Sequence, residues 1–321
     1  MATACKVGID VGGTKIFTVL VDAADGRILA RAKGDTPARE GVGGVLDAMH
    51  HLSRQALDEA GLKWEQVQHV GVALPGAVDQ KRGWVLHAVA LGWRNEPVRQ
   101  LLAKRFGREV HLDNDVNCGV LAEARLGAGR GVASVAGLFV GTGLGGGLVL
   151  DGRLFRGCNG GAGEFGHMIV RHHGRKCGCG HRGCLEAYCS KTAFGRRFEK
   201  MINRRGIKSE LPGLVAGGDF RNVRSKLLAK AYRQGDPVVC NVLDKGATML
   251  GIGVANIMAI LMPGCVVLGG GVIEALGKEL LPLVRRSAER HLFGMDPQEM
   301  VLRLAETGDD AVALGAAILD H

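Results

Sequence analysis

The chain of 321 residues is 46% hydrophobic, enough for one large core or two ordinary ones. A formal charge of +9 would suit nucleic acid or an anionic small molecule, but the basic residues are scattered, and the densest run, 196–205, has the spacing of a helix's polar face, so no nucleic-acid partner is expected. There is no run of about eighteen apolar residues, no basic-then-apolar leader before Lys6 and no disulfide framework among the nine cysteines, so neither a membrane span nor secretion is expected, and a reducing cytoplasm fits.

Residues 6–21 read as two β-branched, apolar strands joined by the glycine turn Asp10-Val-Gly12-Gly13-Thr14-Lys15. Asp25-Gly26 then turns the chain into a third strand beginning at Arg27. Apolar residues at 45, 49, 52, 56 and 57 predict a helix over 43–60. A strand is expected at 67–73, closed by Leu74-Pro75-Gly76, then a loop at 92–95 and a short helix at 97–106. The strand at 109–112 runs into Asp113-Asn114-Asp115, followed by a helix over 116–126. The order then restarts: strand 135–140, glycine turn 141–147, strand 148–150, an Asp151-Gly152 turn and a third strand from Arg153. Strand, glycine turn, strand, Asp-Gly turn, strand thus occurs twice, which points to two related domains. Beyond it come helical patterns at 191–203, 221–234 and 237–262, the last stopped by Pro263. A strand at 265–268 leads into Gly269-Gly270-Gly271, with helices following over 272–291. A strand at 301–304 precedes Asp309 and Asp310, which are placed to cap a final helix over 311–319.

The densest chemistry lies at 164–186. Cys177, Cys179 and Cys184 fall within eight positions, and Gly178, Gly180 and Gly183 let the backbone fold tightly around one ion. Three thiolates and one imidazole satisfy tetrahedral zinc, and four protein ligands leave no open position, so the metal would be structural. His167, His172, His173 and His181 all lie near enough in sequence to be the fourth ligand. His167 opens the apolar run 168–170 and is expected at the start of a strand, a rigid place for a ligand. Glu164 and Glu186 bracket the cluster, and carboxylates suit vicinal hydroxyls because one group can accept from two.

The two glycine turns suit phosphate, since backbone N–H groups without a Cβ beside them approach oxygens closely. Thr14 adds a hydroxyl, Lys15 a cation, and Asp10 a hard oxygen ligand for Mg²⁺ through water. Neither turn is a Walker A loop, and Gly141-Thr142-Gly143-Leu144-Gly145-Gly146-Gly147 precedes a strand, unlike a dinucleotide fingerprint. In Asp113-Asn114-Asp115 one aspartate suffices to cap the following helix, which leaves a second for general-base work on a hydroxyl.

Together, residues 10–15, 112–117, 141–147, 161–167 and 177–186 resemble the ROK family (repressor, open reading frame, kinase) of the actin/hexokinase-like superfamily. The resemblance implies an α/β fold of two actin-like (RNase H-like) domains with an interdomain cleft and a zinc-bound loop. The small domain would be 1–120, with 308–321 packing back onto it, and the larger 121–307 with the zinc loop at 164–186. It implies Asp115 as catalytic base and sugar contacts from Asn114, Asp115, Glu164, His167 and Glu186, with Gly76 and Asn95 bordering the pocket. ATP contacts would fall to Asp10, Gly12, Gly13, Thr14, Lys15, Gly141, Thr142, Gly143, Gly145, Gly269 and Gly270. Of the four histidines it selects His167, with Cys177, Cys179 and Cys184, as the ligands of zinc. The expected activity is ATP-dependent phosphorylation of the 6-hydroxyl of glucose with Mg²⁺, by a cytoplasmic homodimer or homotetramer. Kinases of N-acetylglucosamine, N-acetylmannosamine or fructose share these contacts. A non-catalytic sugar-responsive binding protein would need neither Asp115 nor the phosphate turns. The family's repressors carry an N-terminal DNA-binding domain, and here the phosphate turn comes first, so a repressor is not expected.

Overall fold

The computed structural model describes residues 4–215 and 218–319. In chain order they form β1 (Cys5–Val11), β2 (Lys15–Asp22), β3 (Ile28–Asp35), α1 (Gly41–Glu59), β4 (Val67–Leu74), β5 (Ala77–Asp79), β6 (Trp84–Ala88), β7 (Trp93–Glu96), α2 (Val98–Phe106), β8 (His111–Asn114) and α3 (Asp115–Arg125). There follow β9 (Val135–Val140), β10 (Leu144–Leu150), β11 (Arg153–Leu154), α4 (Glu186–Cys189), α5 (Lys191–Glu199), α6 (Leu211–Leu214), α7 (Ser225–Arg233), α8 (Pro237–Leu261), β12 (Cys265–Gly269), α9 (Gly271–Glu289), β13 (Leu302–Leu304) and α10 (Ala311–Ala317).

Two five-stranded sheets share one plan. The first runs β3-β2-β1-β4-β8 and the second β11-β10-β9-β12-β13, so in each the third, second, first, fourth and fifth strands lie in that order. β1 pairs antiparallel with β2 and parallel with β4. The repeated strand–turn–strand pattern in the sequence therefore corresponds to a repeated topology. β5, β6 and β7 form a separate three-stranded antiparallel sheet. The expected loop at 92–95 is instead β7: Trp93 is buried while Arg94 and Asn95 face solvent. Its polar composition hides the alternation that marks a strand.

The chain divides into two compact units, one of Met1–Gly131, Leu148–Ala162 and Thr307–His321, the other of Val132–Gly147 and Gly163–Glu306. A boundary at 120 would cut α3, which stays whole in the first unit, and 148–162 returns to that unit through contacts such as Arg125 to Gly152. Residues 320 and 321 of the expected terminal segment lie outside the described residues.

In the first unit α1 covers one sheet face with Val45, Met49, Leu52 and Ala56, spaced three and four apart, against Val7, Ile9 and Leu20. The other face, with Val19 and Val21, meets Ala122 of α3 and Ala313, Leu314 and Ala317 of α10. α10 packs there backbone to backbone. A Cβ on Gly71 would lie 1.8 Å from the Ala316 carbonyl oxygen, and one on Gly315 would lie 1.7 Å from that of Cys118. Gly71→Ala should therefore force α10 off the sheet and lower stability by about 3 kcal/mol, at the upper end of overpacking costs. Urea unfolding read by circular dichroism checks this, and an unchanged midpoint would refute it. Buried Glu123 secures the approach to α10 by accepting from the Thr307 amide at 2.8 Å, the Thr307 hydroxyl and the Ala128 amide at 2.9 Å. Asp310 does not cap α10 through its side chain; it pairs with Arg31 at 2.8 Å.

In the second unit α8 packs along α9. Among the described residues α8 alone is long and apolar enough to cross a membrane by length and hydropathy, but 61% of its most apolar window is buried inside the protein, as befits a core helix. The helix expected at 191–203 ends at Glu199 and continues as a π-turn, Lys200–Arg204. The pattern at 221–234 becomes helical only from Ser225.

Candidate active site

In the first unit the acidic triplet lies where β8 ends and α3 begins. Its three residues divide the work. Asn114, not an aspartate, is the N-cap: its Oδ1 accepts from the amides of Val116 at 2.9 Å and Asn117 at 3.3 Å. Its Nδ2 donates to the Gly76 carbonyl at 3.1 Å, which leaves one amide hydrogen for a ligand. Gly76 has φ +89° and turns away from His87, where a Cβ would strike the carbonyl oxygen at 2.2 Å. Asn95, at φ 53°, holds the left-handed conformation that asparagine tolerates better than most residues.

Asp113 is buried, and its Oδ2 accepts from Arg156 Nε at 2.6 Å while Oδ1 accepts from Asn117 Nδ2 and the Asn114 amide, both at 2.8 Å. It thus anchors the triplet from beneath. Nothing in the local pattern marks its partner, since Arg156 lies 43 positions away on another segment. Asp113→Ala should strand the half-buried guanidinium and cost about 3 kcal/mol, while the milder Asp113→Asn should cost less. Thermal melts of both variants test this: each removes the charge, so the difference between them reads the hydrogen bonds that the amide oxygen keeps, and no loss in either would refute the role of the pair.

Asp115 is the first residue of α3, where the helix dipole favours an anion, and its Oδ1 accepts from the Val116 amide at 2.9 Å. Asp10, near the end of β1, is close enough to feel it. Burial, and secondly the negative charge of Asp115, push the Asp10 carboxyl up from its ordinary 3.8 to about 7. The folded chain therefore keeps a proton that the unfolded chain has lost, and stability falls as pH rises from about 4 to about 7. Asp10→Asn should raise the melting temperature at pH 8 and leave it nearly unchanged at pH 4. Equal shifts at both pH values would contradict that origin.

The first glycine turn is closed by the Gly12 amide on the Lys15 carbonyl at 2.8 Å. Thr36 braces it from the side, its hydroxyl on the Gly12 carbonyl at 2.8 Å and its amide on the Thr14 carbonyl at 3.0 Å. The Lys15 ammonium meets Asp35 across the β2–β3 ladder at 2.5 Å, an exposed ion pair that a polyanion can open at small cost.

The second unit holds the other candidates. Its turn is shorter than expected: only 141–143 turn, closed by the Gly141 amide on the Gly143 carbonyl at 2.9 Å, while Gly145, Gly146 and Gly147 belong to β10. Those glycines serve close approach. A Cβ on Gly146 would lie 2.3 Å from the Gly163 carbonyl oxygen, and one on Gly166 would lie 1.9 Å from that of Leu144, so the segment bearing Glu164 and His167 lies directly on the strand. The Thr142 carbonyl accepts from the Thr192 hydroxyl at 2.9 Å, which ties the turn to the start of α5. Gly269 ends β12, and Gly270, with φ +82°, turns the chain into α9.

Glu186, at the start of α4, joins the turn to the cysteine cluster. Its Oε2 accepts from the Leu144 amide at 3.1 Å, and its Oε1 lies 3.3 Å from Cys177 Sγ. His167 does not open a strand; it ends a one-turn 3₁₀ helix, Phe165–His167, and the apolar run behind it makes only an isolated bridge from Ile169 to Cys184. His167, Cys177, Cys179 and Cys184 present ligand atoms all within 4.8 Å of one another. Cys179 Sγ is 3.7 Å from Cys184 Sγ, and Cys177 Sγ is 3.8 Å from His167 Nδ1. A zinc tetrahedron with 2.3 Å bonds to sulfur has edges of about 3.8 Å, so this donor set fits that ion. His181 also approaches Cys179, at 3.6 Å, while His172 and His173 pack on each other.

The ROK family profile matches residues 6–321. The chain is 35% identical over 314 residues to the glucokinase of Thermotoga maritima, a match covering 97% of this chain and 95% of that one. It is 32% identical over 324 residues to the N-acetylgalactosamine kinase of Shewanella sp. strain ANA-3, covering 98% and 96%. Among solved structures, the ROK family glucokinase of Streptomyces griseus in complex with glucose and AMPPNP aligns with a TM-score of 0.81 at 35% identity, covering 98% of each chain. The fold and these sites define an ATP-dependent sugar kinase. More narrowly, the chain belongs to the ROK family.

Proposed function

We propose that this chain transfers the γ-phosphoryl group of ATP to the 6-hydroxyl of glucose, with Asp115 as general base. The observation that carries the reading is the fixed carboxylate of Asp115 at the N-terminus of an eleven-residue helix, beside Asp10 and braced by the Asn114 cap and the Asp113–Arg156 pair. In the reaction, Asp115 takes the hydroxyl proton as the sugar oxygen bonds to phosphorus and the bond to ADP breaks; positioning and electrostatics supply most of the rate. Asn114, Glu164, His167 and Glu186 hold the sugar hydroxyls, with Gly76 and Asn95 at the border. Gly12, Gly13, Thr14, Lys15, Gly141, Thr142, Gly143, Gly145, Gly269 and Gly270 receive the nucleotide. Mg²⁺, when bound with ATP, neutralises phosphate charge, and Asp10 would hold it through water.

His167, Cys177, Cys179 and Cys184 are read as a structural zinc site, supported by the donor set and its edges near 3.8 Å. Its part is to hold Glu186 and the 164–167 segment against β10. We place the enzyme in the cytoplasm as a homo-oligomer.

A second reading, a kinase of an N-acetylhexosamine, is favoured by the 32% identity to the Shewanella enzyme. A coupled assay of ADP release with Mg-ATP decides among glucose, mannose, fructose, N-acetylglucosamine, N-acetylgalactosamine and N-acetylmannosamine. Highest kcat/KM on glucose supports the first reading, and highest on an N-acetyl sugar the second. No turnover on any of them by folded, zinc-loaded protein would favour a sugar-responsive binding protein.

A further inference from the structure

A cavity of about 610 Å³ belongs wholly to the first unit and contains none of the residues assigned above to sugar, ATP or zinc. Lys6, Arg125, Arg153 and Arg156 line it, with His69 beside them, and among the described residues none of its lining is acidic. Its remaining wall is apolar, including Leu121 of α3 and Leu319. It opens near the start of β1, whereas Asp10 lies near the end of that strand, roughly 13 Å away at about 3.3 Å per residue. Four cations, of which Arg156 is already paired with Asp113, in a concave, half-apolar enclosure keep the potential positive, and such a place selects an anion large enough to use both the charge and the apolar wall.

Arg156 connects this cavity to the triplet. The same guanidinium that lines it donates to Asp113, and Asp113 in turn fixes the Asn114 amide and Asn117. Only Nε is spent on Asp113, so an anion at the Nη groups would share the guanidinium with Asp113 and draw its charge away. Asp113 is buried, so any loss of its partner bears directly on the backbone that sets Asp115.

We propose that this cavity binds a phosphate monoester dianion, and that its occupancy slows phosphoryl transfer through Arg156 and Asp113. Arginine presents the fork that phosphate oxygens match, and Lys6 supplies a further point charge. The apolar wall favours a phosphate carried on an organic body over free phosphate. A sugar kinase makes such a compound, so the site would sense hexose phosphate. This regulatory half rests on the kinase reading; the binding half does not.

The test separates the two. Isothermal titration of the full chain with inorganic phosphate and, separately, with glucose 6-phosphate is run without ATP or sugar, at constant ionic strength set by chloride. The variant is Lys6→Gln/Arg153→Gln, neither residue being part of the machinery assigned above. Saturable binding that weakens about 10–100-fold in the variant, as expected for two lost charge-assisted contacts, supports the site. Tighter binding of glucose 6-phosphate than of inorganic phosphate assigns the ligand to the monoester class, and the reverse order overturns that assignment. Equal binding by wild type and variant overturns the site. In the kinase assay, inhibition by glucose 6-phosphate that lowers kcat at saturating ATP and sugar, and disappears in the variant with KM for ATP unchanged, supports the coupling. Inhibition purely competitive with ATP or sugar, or site binding with no change in kcat, overturns it.

Discussion

Asp115→Asn should lower kcat by about 10²–10⁴-fold, the usual contribution of a general base, while the melting temperature and the Kd for sugar stay near wild type. The asparagine is isosteric, keeps a side-chain oxygen to accept from the Val116 amide, and leaves the Asn114 cap and the Asp113–Arg156 pair in place. What it lacks is a site for the hydroxyl proton. It also removes a negative charge beside Asp10, so the Asp10 carboxyl should move back toward its ordinary range. Single-turnover kinetics with calorimetric measurement of sugar binding separates the effects. Near-normal turnover would remove Asp115 from the role, and loss of sugar binding with intact folding would recast it as a sugar contact only.

With zinc held by His167, Cys177, Cys179 and Cys184 as proposed, stripping it with a strong chelator should abolish more than 99% of the activity and loosen 164–186. The free energy of a structural zinc site is on the order of 10 kcal/mol, and it is folding free energy for the loop it closes. Activity should fall before the unit unfolds, because Cys177 and Glu186 lie 3.3 Å apart. A metal-bound thiolate has no proton to give, whereas a released thiol can donate to Glu186 and occupy an oxygen that the proposed function assigns to a sugar hydroxyl. Cys184→Ser should imitate the loss. Metal content, limited proteolysis and activity, followed together through chelation and zinc restoration, test the account. Full activity in a zinc-free preparation would refute it.

Much of this was legible in the chain. β1, β2, β4, β9 and β12 are runs of β-branched and aliphatic residues, and the cysteine cluster is local, so spacing alone reveals both. What escaped depends on contacts between distant segments. Gly145, Gly146 and Gly147 look like a turn because glycine is rare in strands, but their bareness answers the approach of Gly163 and Gly166. Asp113 looks like a redundant cap until Arg156 is placed beside it. β7 carries polar residues on its open side and offers no alternation, and the return of 148–162 to the first unit has no compositional mark.

The packing of α10 also bears on the order in which the molecule can be made. Val19 and Val21 leave the ribosome before the second unit is made, yet the helix that helps keep water from them follows that unit. Until then the nascent sheet carries a greasy face that α3 alone can cover through the synthesis of the entire second unit. The growing polypeptide is therefore a natural client for a holding chaperone, and ribosomes stalled before residue 307 should release a product that aggregates instead of half an enzyme.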